Sequence, residues 1–240
     1  MMPSFTSLEA FARLVPRLAP SCGPVRLVGV DGYAGSGKTT LAGRLAGLCG
    51  GAPVVHLDDI AEHGALFDWT ERFVTEVLTP LERGESARYG VYDWVKRTRE
   101  RTSVVCPAPV VLVEGVGAGR AALRSSLACL LWMDVPRATA WRRGRERDGA
   151  AQAEFWAGWM PAERAHFAAD PSRPFADFLV RETVTSGRET GSRPARQEGG
   201  AAVPEGPFGE FPVPGYEVFE GPGRAAGGPV DLTLRITSGS

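Results

Sequence analysis

Residues 28–47, VGVDGYAGSGKTTLAGRLAG, carry an apolar run straight into a glycine-rich loop that ends in Lys-Thr-Thr. Gly32, Tyr33, Ala34, Gly35, Ser36, Gly37, Lys38 and Thr39 match the Walker A pattern G-x-x-x-x-G-K-[ST] without a mismatch. The run before it, VRLVGV (25–30), is short, β-rich and apolar, as a buried parallel strand requires. After it, Leu41, Leu45 and Leu48 fall on one helical face before Gly50-Gly51 closes the helix. Strand, glycine loop and helix in that order make a phosphate cradle. Glycines let backbone N–H groups turn inward, and the helix N-terminus adds partial positive charge. In this reading residues Gly32 to Thr39, with Thr40, hold ATP. Lys38 bridges the β- and γ-phosphates, and the Thr39 hydroxyl binds Mg2+.

Outward from the loop, four more buried-strand runs appear: PVVHL (53–57), PVVLVEG (109–115), ACLLWMDV (128–135) and ADFLVRE (176–182). Helix-spaced segments separate them, among them LFDWTERFVTEVLTPLERG (66–84) and the stretch from Pro136 to about Ala169. The alternation predicts an α/β fold, a P-loop NTPase of three layers, α/β/α, with a five-stranded parallel sheet. Ahead of it, TSLEAFARLVPRL (6–18) starts a helix with Thr6 and Glu9 at capping-box spacing. Residues 1–185 are predicted to be one domain, with 1–24 its N-terminal helix and linker. From Gly187 to Pro229, 18 of 43 residues are Gly or Pro, above the roughly 25–30% that marks low complexity. Residues 186–240 therefore read as a tail, in which GYEVFE (215–220) and PVDLTLRIT (229–237) are predicted to pair as a hairpin.

The 240 residues are 43% hydrophobic with a formal charge of −1, so no basic field draws the chain to nucleic acid. No run of about 18 apolar residues predicts a membrane span. Cys22, Cys49, Cys106 and Cys129 lie far apart and read as reduced thiols of a cytoplasmic protein, not as a disulfide frame or zinc site. The chain contains no Asn, which removes the Asn-Lys-x-Asp base reader of GTP switches. The Leu-Ser-Gly-Gly-Gln signature of ABC ATPases is absent too, and residues 1–185 are short for an AAA or RecA motor. A compact P-loop kinase for small molecules fits best.

Two carboxylates follow strands. Asp58 comes after VVHL and Glu114 ends VVLV, which puts both at the carboxyl edge of the sheet, where open α/β sheets bind ligands. A carboxylate there can orient a hydroxyl for attack on a phosphate. The adjacent Asp59 shares the claim, and an acidic pair capping the next helix is the alternative use. Arg137, Arg142, Arg143, Arg145 and Arg147 crowd PRATAWRRGRERDG, a basic segment that Glu146 and Asp148 interrupt. Trp156 and Trp159, with Phe155 and Phe167, fall at helical spacings and read as core packing. His56, His63 and His166 show no spacing for a metal or a triad and receive no chemistry.

The motifs GVDGYAGSGKTTLA, VVHLDD, VLTPLERG followed by YDW, VVLVEGVGAG and RRGRERDG stand in the order of one family. From Val25 to Glu182 the chain resembles the uridine kinase-like family of P-loop nucleoside and small-molecule kinases, in the branch that carries YDW and EGVGAG. The resemblance implies ATP- and Mg2+-dependent transfer to a hydroxyl of a small molecule, a nucleoside first. It makes Asp58 the group that accepts the hydroxyl proton and holds Mg2+ through water, and Glu114 a member of the Mg2+ shell. Residues 136–150 become a lid whose arginines, Arg143 and Arg147 by register, fold over the phosphates. VYDWVKRTR (91–99) becomes the acceptor segment, with Tyr92 and Trp94 stacking on the base and Arg99 touching the substrate. Phe67 and Asp68 are what remains of the family's FDHP stretch, and Arg97 stands where pyrimidine kinases carry His. Two other readings stay open: a non-nucleoside alcohol as acceptor, or a non-catalytic ATP-binding module whose tail recruits a partner. Homo-oligomer formation and the tail's partner are not legible in the sequence.

Overall fold

All five apolar runs become parallel strands, and two further strands extend one edge of their sheet. The computed structural model describes residues 5–183 and 215–225. The chain opens with β1 (Phe5–Ser7), α1 (Leu8–Leu14), β2 (Arg26–Asp31), α2 (Lys38–Leu48), β3 (Val54–His56) and α3 (Leu57–Ile60). There follow α4 (Thr70–Phe73) and α5 (Thr79–Glu82), joined by a π-helical turn, then β4 (Ala87–Asp93), β5 (Thr98–Val105) and β6 (Val110–Glu114). The last elements that bear on the site are α6 (Ala121–Arg124), β7 (Cys129–Met133), α7 (Arg137–Asp148), α8 (Ala153–Ala169), β8 (Phe178–Thr183) and β9 (Gly215–Glu220).

The main sheet runs β1-β9-β8-β7-β2-β6-β3. Strands β3, β6, β2, β7 and β8 are parallel to their neighbours, whereas β9 and β1 are antiparallel. The sheet thus has seven strands, not the predicted five. GYEVFE forms β9 and pairs with β8, Tyr216 opposite Glu182 and Val218 opposite Val180. The strand predicted at 229–237 lies outside the described residues. Pairing with β8 buries Tyr216 and Val218 and covers backbone groups that an edge strand would expose. Strands β4 and β5 form a separate hairpin that contains the YDW motif.

Side chains on the two faces of the sheet meet different helices. Val28, Val30, Leu112 and Leu131 pack with Phe11, Leu41 and Leu45 on one side. Leu27, Val111, Val113 and Trp132 pack with Leu57, Phe73, Val77 and Leu81 on the other. Burial on both faces is why each parallel strand reads as an unbroken apolar run. The first helix is capped by Ser7, whose Oγ accepts from the Ala10 N–H at 3.2 Å; Thr6, predicted for that role, lies in β1.

One buried carboxylate fixes the active edge of the sheet. Asp31, at the end of β2, is 0% exposed. It accepts from the N–H groups of Gly32 (2.7 Å), Gly117 (3.0 Å) and Gly119 (2.9 Å). The phosphate loop and the GVGAG turn after β6 are therefore held by the same side chain. Burial pushes its carboxyl above the usual range, and the hydrogen bonds from the three amides oppose that. Asp31→Ala would leave three buried amides without an acceptor, at about 1–3 kcal/mol for each unsatisfied group. Urea unfolding should then show a loss of about 3 kcal/mol or more with an unchanged m-value. A loss below about 1 kcal/mol would mean that the two loops are held by other contacts.

Candidate active site

The phosphate loop leads into α2 as the motif requires. Gly37, at φ 93°, is the cap from which α2 starts, and Gly35 has φ 80°. A Cβ on Gly35 would lie 2.1 Å from the Ala140 carbonyl of α7, so only glycine lets loop and helix approach this closely. Lys38 is 7% exposed, and its Nζ donates to the Tyr33 carbonyl at 3.1 Å. The Tyr33 ring stands edge-on to Trp132 and Phe167, so that side chain serves the core. Ala34, Gly35, Gly37, Lys38, Thr39 and Thr40 line a cavity of about 1190 Å³; Gly32, Tyr33 and Ser36 do not.

Asp58 and Glu114 line that same cavity. The Thr39 hydroxyl donates to Glu114 Oε1 at 3.1 Å. Asp58 is open to the cleft, and loss of water to the cleft walls, followed by the like charge of Glu114, raises its carboxyl above the usual range. Asp59 does not line the cavity, and its carbonyl accepts from Arg99. Of the acidic pair, Asp58 is therefore the one that faces the cavity. His56, which the sequence left without chemistry, has Nδ1 2.6 Å from Glu114 Oε1. Its pKa is raised, first by that hydrogen bond. The cause is register: β3 pairs with β6 so that His56 falls opposite Glu114, and no single-strand pattern carries that pairing.

These residues suit a hard divalent cation. A hydroxyl and a carboxylate meet at 3.1 Å, with a second carboxylate in the same cavity whose ionisation the first opposes. Among the described residues no three His, Cys, Asp or Glu side chains gather as a metal cage. Mg2+ requires none, because it keeps several waters and takes one or two protein oxygens beside phosphates.

Arg143 and Arg147 line the cavity from α7. Arg143 donates to Glu182 Oε2 at 2.8 Å, and Arg147 to Asp148 Oδ1 at 2.7 Å. Asp148 also accepts from Trp156 Nε1 at 3.0 Å. Arg142 pairs with Glu146 across 3.9 Å on the outer surface, while Arg137 lines a separate, smaller cavity with Asp134, Arg173 and Arg181. The predicted helical stretch breaks at Gly149, φ 73°, which separates α7 from α8.

The acceptor segment is only partly as the resemblance implies. Trp94 lines the cavity, and its Nε1 donates to the Asp58 carbonyl at 2.9 Å. Tyr92 is buried outside the cavity lining, with its hydroxyl 2.9 Å from His63 Nδ1. Arg99 does not face the cavity. It donates to the carbonyls of Asp59, Ile60, Ala61 and Gly90 and to the Glu62 carboxylate, tying α3 to β4. Phe67 stacks on His166 with ring centroids 4.6 Å apart, and neither it nor Asp68 lines the cavity. The cavity around Trp94 is lined instead by His63, Arg97 and Phe155, together with the buried Trp156 and Trp159. Arg97 stands at φ 59° in the hairpin turn, its N–H donating to the Asp93 carbonyl at 2.7 Å.

A mostly parallel α/β sheet with a Walker A loop at the head of its central strand defines a P-loop enzyme. Within that class the chain is similar in sequence to uridine kinases. It is 23% identical over 179 residues to the uridine kinase of Borrelia duttonii (strain Ly), covering 66% of this chain and 87% of that protein. The uridine kinase of Borrelia recurrentis (strain A1) gives the same figures. Among solved structures, that of a possible uridine kinase from Bacillus stearothermophilus has a TM-score of 0.48 at 18% identity, covering 65% of this chain and 93% of that one. No family profile matches the chain.

His166, behind the acceptor wall, gives the fold an acid limit. Its Nε2 is buried without a partner among the described residues. Burial, assisted by the charge of Arg120 and opposed by Asp170, pushes its pKa down to about 4. The unfolded chain binds this proton below about pH 6.5 and the folded chain only near pH 4, so folding is weakened as pH falls through that window. The thermal midpoint should drop between pH 6.5 and 4, and His166→Leu should flatten that part of the profile. An equally steep profile in the variant would assign the acid limit to other groups.

Proposed function

We propose that the protein is an ATP- and Mg2+-dependent kinase that phosphorylates a hydroxyl of a small molecule, with a nucleoside as the first candidate. One observation carries the reading: Asp58 and Glu114 share a single cavity with Lys38, Thr39, Arg143 and Arg147. A nucleotide holder has no need of a carboxylate at the acceptor side of its phosphates. The uridine kinase names of the sequence relatives support the same class.

In this mechanism the loop amides and Lys38 grip the triphosphate. Thr39 and Glu114 would hold Mg2+, with Asp58 reaching it through water. Mg2+ held there would neutralise charge on the phosphates during transfer. His56 fixes the orientation of the Glu114 carboxylate through its 2.6 Å contact. Asp58 accepts a hydrogen bond from the acceptor hydroxyl, aligns its oxygen on the γ-phosphorus and takes the proton as the new P–O bond forms and the bond from the γ-phosphorus to the β,γ-bridging oxygen breaks, with ADP as the leaving group. The lid arginines leave their carboxylate partners for the transferring group. Little covalent work falls to the protein; positioning and charge supply most of the acceleration.

Arg97 favours a second reading of the acceptor, a hydroxyl compound that carries a negative charge. Its place beside His63 and Trp94 puts a guanidinium where a neutral nucleoside offers it no opposite charge. In the same proposal the enzyme works in the cytoplasm on ATP and a small molecule, without nucleic acid. All four cysteines are thiols, as a reducing compartment keeps them, and no helix among the described residues is long and apolar enough to cross a membrane.

Incubation with Mg-ATP and a panel of nucleosides, sugars and hydroxy acids, with ADP as readout, tests the reading. An acceptor that raises ADP well above background hydrolysis is expected. If none does while ATP still binds, the protein is an ATP-binding module instead. Lys38→Ala should abolish transfer or weaken ATP binding. Asp58→Ala should leave ATP affinity near that of the parent and lower turnover by about 10²–10⁴, the scale of a lost general base. Near-normal turnover in that variant would remove Asp58 from the chemistry.

A further inference from the structure

The transfer chemistry leaves unused a buried carboxylate beside the phosphate loop. Glu163 lies in α8 and is 0% exposed. Its Oε1 accepts from the Ala34 N–H at 2.7 Å, and its Oε2 accepts from Trp141 Nε1 on α7. One side chain thus joins three elements: the phosphate loop, the lid helix and α8. The Ala34 amide is committed to this carboxylate, which leaves the later amides of the loop for phosphate.

The surroundings show how closely these elements sit. A Cβ on Gly35 would stand 2.1 Å from the Ala140 carbonyl and 2.7 Å from the Gly144 N. A Cβ on Gly144 would reach within 2.4 Å of the Trp156 ring of α8. Backbone glycines thus let loop, α7 and α8 touch, but contact alone leaves a helix free to rotate and slide. A two-oxygen acceptor with one donor on each neighbour fixes both. Trp141 belongs to the same helix as Arg143 and Arg147, and those two arginines are one turn apart, so the register of Trp141 is also theirs. A fully buried carboxylate is costly unless its oxygens are satisfied. A mere packing role would be filled as well by an apolar side chain of similar volume.

We propose that Glu163 is a positioning residue, which sets the lid helix, and with it Arg143 and Arg147, relative to the phosphate loop. It deepens the kinase reading and rests on it for turnover, whereas nucleotide affinity tests it independently. The experiment compares Glu163→Leu, Glu163→Gln, Trp141→Phe and the Gln/Phe double variant in the full chain. Mg-ADP affinity is measured by calorimetry, and kcat and both KM values with the acceptor found in the panel.

Glu163→Leu should weaken Mg-ADP binding and lower kcat by about 10²-fold, the cost of a misplacement near 1 Å, with the acceptor KM unchanged. Glu163→Gln keeps an oxygen for the Ala34 N–H but meets Trp141 Nε1 with a second donor. It should restore Mg-ADP affinity while kcat stays reduced. Trp141→Phe should reproduce that kcat loss, and the double variant should be no worse than either single one. A folded Glu163→Leu with parental constants overturns the proposal. So does a parallel loss of kcat, Mg-ADP affinity and acceptor affinity that Glu163→Gln does not relieve. If Glu163→Leu does not fold, the Gln and Phe variants decide by the same criteria. If the parent phosphorylates nothing, the kinase reading fails, and the Mg-ADP affinities still decide whether Glu163 anchors the loop.

Discussion

The active edge of this protein depends on the burial of Asp31. Its carboxylate sits where β2 ends, and the amides of Gly32, Gly117 and Gly119 converge on it. A buried acid is tolerated only with its oxygens satisfied, so two loops from different strands must arrive together to satisfy this one. The first of them begins the turn that delivers Lys38 and Thr39. The second follows Glu114 by three residues, which ties that carboxylate to the phosphate loop through a common partner. Site geometry is in this sense a by-product of satisfying one buried charge.

Above that floor the cations are held loosely. Arg143 and Arg147 pair with Glu182 and Asp148 at side-chain exposures of 45% and 71% for the arginines. Pairs this open to water contribute about 0–1 kcal/mol, so an arriving polyphosphate can take either guanidinium from its carboxylate at small cost. The contrast with Arg99 is instructive. Its five donors are spent on four carbonyls and Glu62, and it holds the end of α3 in place for Asp58 without facing the cavity.

The parallel strands and the phosphate loop were legible because burial on both faces and a backbone-driven motif each leave a local signature. What stayed hidden depends on pairing between distant segments. GYEVFE alternates in the same way whichever neighbour it takes, so its place beside β8 could not be read from it. His56 became part of the site only through the β3–β6 register. Arg99 and Phe67 sit in or near motif positions, yet the chain turns them toward its own backbone and rings, and Asp68 lies exposed outside the cavity lining. Glu163 did leave a trace. With Trp156 and Trp159 it falls on the buried side of α8, and an acid at apolar spacing marks a carboxylate with specific partners inside the fold.

Strand β9 also bears on how the protein comes into being. Among the described residues β1 pairs with β9 alone, and β9 in turn lies against β8. Strand β1 therefore waits until Gly215–Glu220 has been synthesised before it has a neighbour. Until then β8 presents an open, partly apolar margin to the cell, the kind of surface that draws chaperones or other nascent chains. Completion of the sheet is thus timed by the arrival of β9, and β1 and β9 become native together.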